Sequence, residues 1–127
     1  MSPRLLLRLA SWYFWLGRLS WPRILLLGLF AAVAIEAVTA GLRFGLKLES
    51  TRDTASTVGR FTFGLRIHHG YIGVAVAIAA AFVRKVAIRN LLLIVAIGLI
   101  LSDLFHHFLV LWPLTGSPQF DLVYPQR

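Results

Sequence analysis

Three stretches of this chain, residues 24–45, 65–83 and 91–112, each run for about twenty residues with very few charges. A helix of that length spans about 30 Å, the thickness of the hydrocarbon core of a bilayer. That pattern leaves few architectures open, and composition narrows them further. Hydrophobic residues make up 58% of the chain and charged residues only 14%, with a mean hydropathy of +0.78, whereas a soluble domain carries about a quarter charged residues. The expected fold is an all-α membrane protein: an amphipathic interfacial helix at residues 3–21 and three transmembrane helices at 24–45, 65–83 and 91–112. An outer loop covers residues 46–64 and an outer tail residues 113–127. All 127 residues then form one membrane domain, with no room for a separate soluble one.

The charge of +8 would point to nucleic acid in a soluble protein. Here most of the Lys and Arg flank the apolar runs, so nucleic acid is excluded as a partner and the lipid bilayer takes its place. Arg4, Arg8, Arg18 and Arg23 precede the first run, and Arg84, Lys85 and Arg89 separate the second from the third. In the outer loop, Lys47, Arg52, Arg60 and Arg66 are diluted by Glu49 and Asp53. The positive-inside rule then puts the amino terminus inside and the carboxyl terminus outside, in a bacterial or archaeal cytoplasmic membrane.

Residues 3–21 place Arg4, Arg8, Ser11, Trp15 and Arg18 on one helical stripe, as in a helix lying against anionic headgroups. Val38 and Ala40 resemble a signal-cleavage site, but the apolar run starts late and contains Glu36, so retention is expected. In the outer loop Ser50 stands three residues before Asp53 as a capping box, with Gly59 as a stop, which predicts a short surface helix. The following RFTFGLRI reads either as an extended lid or as the ragged start of the second span. The tail from Pro113 is turn-rich and expected to be irregular. Gly41 and Gly45 on the first span, and Gly70, Gly73, Ala77, Ala80 and Ala81 on the second, allow close helix packing, within the chain, in a homo-oligomer or in a larger membrane complex.

The four histidines form two adjacent pairs, His68-His69 and His106-His107. Counted from the inner-surface markers Pro22, Lys85 and Asn90 at about 1.5 Å per residue, Glu36 lies roughly 21 Å up its helix, His69 roughly 24 Å, Asp103 roughly 20 Å and His106 roughly 24 Å. Ionisable groups at such depth are costly and usually functional, and these share one layer. Asp103, His106 and His107 also share one helix face, while Glu36, Thr39 and Arg43 form a stripe on the first span.

Imidazole nitrogen and carboxylate oxygen together suit zinc, iron, manganese or copper. The candidate ligands of a divalent metal are therefore His68, His69, Asp103, His106, His107 and Glu36. Glu36 and Asp103 double as candidate general bases for metal-assisted hydrolysis, or for oxidation, of a lipid-soluble or outer-surface substrate. A second reading is a b-type haem, or a quinone, in an electron-transfer anchor subunit, with one histidine of each pair as axial ligand and Arg43 and Arg66 as cofactor-binding residues for the propionates. A third is a non-catalytic accessory subunit in which acids and imidazoles pair with Arg43 or Arg66 as a polar cluster. The absence of cysteine removes disulfides, thiolate ligands, iron–sulfur clusters and covalent haem attachment. His-Glu-x-x-His and His-x-x-x-His spacings are absent too.

Overall fold

The computed structural model describes residues 2–49, 52, 53 and 56–124. Helix α1 (Pro3–Gly17) opens where Ser2 accepts a hydrogen bond from the Leu5 amide at 3.4 Å and Pro3 occupies a position whose N–H would have no partner. Helix α2 (Trp21–Ala40) also has a proline in its first turn, without a side-chain cap from Ser20, and runs straight into a wider π-helical turn at Gly41–Gly45. A single helical turn, α3 (Val58–Phe61), precedes α4 (His69–Ala81). Helix α5 (Val86–Leu104) passes through a π-helical stretch, Phe105–Leu111, into α6 (Trp112–Thr115). There Gly116, at φ +76°, stops it by turning its amide back onto the Trp112 carbonyl.

Two of these helices, Trp21–Gly45 and Val86–Thr115, are long and apolar enough to cross a membrane. The segment expected as a span at 65–83 is helical only over the 13 residues of α4, about 20 Å. The third apolar helix also runs beyond its expected end. Pro113 does not break it, because the π-helical turns just before already disrupt the ladder that a proline would interrupt.

Helix α5 is the central element, and small residues let its neighbours close on it. Along α2 the buried positions are Ile24, Gly28 and Ala32, four residues apart, and Glu36 continues that stripe. A side chain at Gly28 would come within 2.5 Å of Ile97, and one at Gly98 within 2.8 Å of Ala31. On the other side, a side chain at Gly73 would meet Ile100 at 2.8 Å and the Ala96 carbonyl at 2.9 Å. Gly41 and Gly45, by contrast, have nothing within 4 Å of an added Cβ, so this pair mediates no packing within the chain. Of the small series on α4, Gly70, Gly73 and Ala80 are buried and Ala81 is exposed. At the opposite end, buried Asn90 donates to the Leu16 carbonyl at 2.9 Å and ties the end of α1 to α5.

The segment before α4 is extended, and the carboxyl-terminal tail pairs with it. Leu65 and Val123 form an antiparallel bridge. The Arg66 amide donates to Leu122 at 3.0 Å and the Tyr124 amide to Gly64 at 2.9 Å. The tail beyond Thr115, irregular as expected apart from this bridge, therefore lies as a strap across the start of α4. The Tyr124 ring lies over Gly59, 3.0 Å from where a Cβ would sit, so Gly59 serves as a seat inside α3 instead of ending a helix. Ser50, the expected cap, lies outside the described residues. Asp53 does reach back, accepting from the Glu49 amide at 2.7 Å. A side-chain hydrogen bond from Arg52, with the Glu49 amide second, lowers its carboxyl to about 2.

Candidate metal centre

Helices α4 and α5 carry their histidines to one point. His68 is the residue before α4, His69 its first residue, and Asp103 and His107 sit one turn apart where α5 widens. Gly70 makes the approach possible: a Cβ there would lie 2.7 Å from Asp103 Oδ2, so any side chain would push the carboxylate away. His68, Asp103 and His107 are all buried, with exposures of 5%, 2% and 4%.

Three donor atoms converge. His68 Nδ1 lies 3.0 Å from His107 Nε2 and 3.7 Å from Asp103 Oδ1, and His107 Nε2 lies 3.8 Å from that same oxygen. The point equidistant from all three corners of this triangle is about 2 Å from each, which matches metal–nitrogen and metal–oxygen bonds of 2.0–2.2 Å. These residues form a group able to hold a metal ion.

The strap fixes which ring nitrogens carry protons. His68 Nε2 faces the Asp121 carbonyl at 3.1 Å, and His107 Nδ1 faces the Pro118 carbonyl at 2.6 Å. A carbonyl can only accept, so both of these nitrogens donate. In neutral rings the lone pairs are then left on His68 Nδ1 and His107 Nε2, aimed at each other, with Asp103 Oδ1 beside them. That oxygen is buried and has no hydrogen-bond partner among the described residues. Three acceptors with no donor between them attract a cation, and backbone carbonyls behind metal-binding imidazoles are the usual way their tautomers are set. Phe120, also on the strap, stacks on His68 at 4.5 Å between ring centres.

The other residues expected at the site lie around this group. His69 is half-buried; its Nδ1 is 3.2 Å from Asp103 Oδ1 and its Nε2 3.2 Å from Ser102 Oγ. His106 turns toward α2 instead, its Nδ1 3.0 Å from Glu36 Oε1. Glu36 Oε2 is buried without a hydrogen-bond partner among the described residues. The wider turn at 105–111 separates the two histidines, sending His106 to Glu36 and His107 to Asp103. A cavity of about 200 Å³ lies alongside, lined by His68, His69, Asp103, His106 and His107 and bounded by Arg43 and Arg66. Arg43 pairs with Glu49 at 3.3 Å, and Arg66 donates to the Gln119 carbonyl at 2.8 Å.

A haem with one axial histidine from each pair does not fit the spacing of His68 and His107. Two axial nitrogens each about 2 Å from an iron would stand about 4 Å apart across the ring, and these are 3.0 Å apart with no gap between them.

Sequence reasoning missed the strap altogether. The contributions of Pro118 and Asp121 are backbone carbonyls, which no residue pattern reveals. Ser102, fully buried beside His69, carried one available signal, since it is polar and one position before an in-layer acid. Comparisons with protein-family models, curated proteins and solved structures found no match for this chain.

Proposed function

We propose that this chain is an integral membrane protein that binds one divalent metal ion through His68, Asp103 and His107, in the outer half of the bilayer. The observation that carries this reading is the convergence of three lone-pair donors, with both imidazole tautomers set by the strap. Three protein ligands leave a coordination position open, as catalytic zinc sites do. His69 stands close enough to Asp103 to close that position, which would make the site structural instead.

The membrane setting is supported by where the apolar surface lies. The apolar windows of the two long helices are only 17% and 33% buried, and large residues such as Leu26, Phe30, Val33, Leu91 and Leu109 face outward. A soluble protein would cover such surface. In our reading α2 and α5 cross the bilayer, α4 with the extended residues before it makes a third, shorter passage, and α1 lies along the inner interface. Pairing of Gly64 and Arg66 with the tail satisfies backbone groups that hydrocarbon could not.

A bound divalent ion would supply Lewis acidity and a water molecule of lowered pKa. As a ligand, Asp103 is not available as general base. That role falls to the Glu36–His106 pair: the carboxylate accepts from His106 Nδ1, orients the ring and leaves Nε2 as its basic nitrogen. The reaction class this supports is metal-assisted hydrolysis.

Elemental analysis of the purified full chain after exposure to zinc, manganese, iron and cobalt tests the reading. One ion per chain, lost in a His68→Ala, His107→Ala double variant, is expected. No retained metal in the wild type would overturn it, leaving a proton shared within the trio as the better account of the same geometry.

A further inference from the structure

The cavity beside the trio is small and positively lined. At about 200 Å³ it is below the 300–1,000 Å³ of sites that enclose a drug-sized ligand, so it holds a compact head rather than a chain. The charged groups on its wall are Arg43, Arg66 and Asp103. With neutral imidazoles and a divalent ion in the trio, the ion and the two arginines face the single carboxylate Asp103 on the wall, while Glu49 beside Arg43 and Asp121 3.6 Å from Arg66 offset part of that charge. Arg43 faces the Glu49 carboxylate through both terminal nitrogens, each at 3.3 Å, and the Gln119 side chain at 3.5 Å, long contacts that a better-placed anion could take over. The amino-terminal end of α4 also lies at this cavity, with no side chain capping it, and a helix start favours negative charge.

We infer that the cavity binds an oxyanion, a phosphate or carboxylate head, which would complete the coordination of an ion held by His68, Asp103 and His107 and would replace Glu49 on the Arg43 guanidinium. Planar forked donors recognise such groups in pairs of hydrogen bonds. This rests on the metal reading above and names the ligand class of that site. Leu42, Leu48 and Leu111 on the same wall give the head an apolar border, so a lipid headgroup and a free anion share the chemistry.

The test uses the full chain loaded with cobalt in detergent, with the visible cobalt spectrum as readout. Titration with inorganic phosphate is expected to shift the spectrum, and Arg43→Gln to weaken that response at least tenfold. Arg43→Lys, which keeps the charge without the fork, is expected to fall between. The same protein in nanodiscs with and without phosphatidate separates the sources: a shift with phosphatidate alone assigns a lipid head, and a shift with phosphate alone assigns a free anion. Cobalt uptake without any response to either, up to about 10 mM phosphate, overturns the inference and leaves the metal reading standing. An equal response in Arg43→Gln overturns the grip assigned to that residue. Failure to take up cobalt overturns both.

Discussion

His68 Nδ1 and His107 Nε2 face each other at 3.0 Å as two lone pairs, because the Asp121 and Pro118 carbonyls take the proton of the other nitrogen in each ring. Two acceptors at that distance repel unless something positive joins them, and Asp103 Oδ1 adds a third. Packing of α4, α5 and the tail thus builds a group that could hold a metal ion, with each element supplying part of it.

Asp103→Asn keeps the side-chain volume and removes the charge. Metal affinity is expected to fall by more than about 100-fold, since loss of even an outer-shell partner costs 10- to 100-fold. Membrane insertion should be unchanged, because it depends on the surrounding hydrocarbon. Equilibrium dialysis with zinc, alongside carbonate extraction of membranes, checks both; unchanged affinity would remove Asp103 from the ligand set.

Gly70→Ala would place a methyl group 2.7 Å from Asp103 Oδ2 and 3.0 Å from its Cβ. The chain is expected to lose about 1–3 kcal/mol from overpacking together with metal stoichiometry. Gly41→Ala, with nothing within 4 Å of the new atom, should be neutral or stabilising by up to about 1 kcal/mol. Thermal unfolding in detergent reads the contrast, and equal effects at the two positions would contradict the packing described.

Removal of the strap from Ser117 onward takes away the Pro118 and Asp121 carbonyls and the Phe120 ring that covers His68. Metal affinity should drop 10- to 100-fold with faster release to a chelator, while α2 and α5 stay helical by circular dichroism. Release at the wild-type rate would show that the strap has no part in holding the imidazoles.

Metal uptake should weaken on acidification. Both imidazoles must be neutral to bind, so protons compete with the ion for His68 Nδ1 and His107 Nε2, and where both free rings are protonated each unit of pH lost raises Kd by up to about 100-fold. Zinc titrations between pH 5 and pH 8 measure this. A flat profile would mean that the histidines are not ligands.

The chain has no cysteine, so single introduced cysteines report topology without background. A cysteine at Ser117 is expected to react with an impermeant reagent from outside, and one at Ser2 only after the membrane is opened. The reverse pattern would invert the orientation and move the site to the inner half.

Hydrophobic run length was enough to read an all-helical chain and to locate its two long helices, because burial of apolar surface and satisfaction of backbone groups are local demands that each segment meets by itself. The shared layer of Glu36, Asp103 and the two histidine pairs was also legible, since helical rise converts residue number into height. Height is one coordinate only. Direction around the helix axis depended on the wider turn at 105–111, which parts His106 from His107, and on Gly70, whose missing side chain admits Asp103. The length of α4 and the fold-back of the tail were equally hidden, because a strap of backbone carbonyls has no residue signature. Sequence alone therefore determined which groups stand at one height along the apolar helices. Only the tertiary structure decided which of them meet, because that choice rests on helix rotation, close approach at small residues and hydrogen bonds between segments more than fifty residues apart.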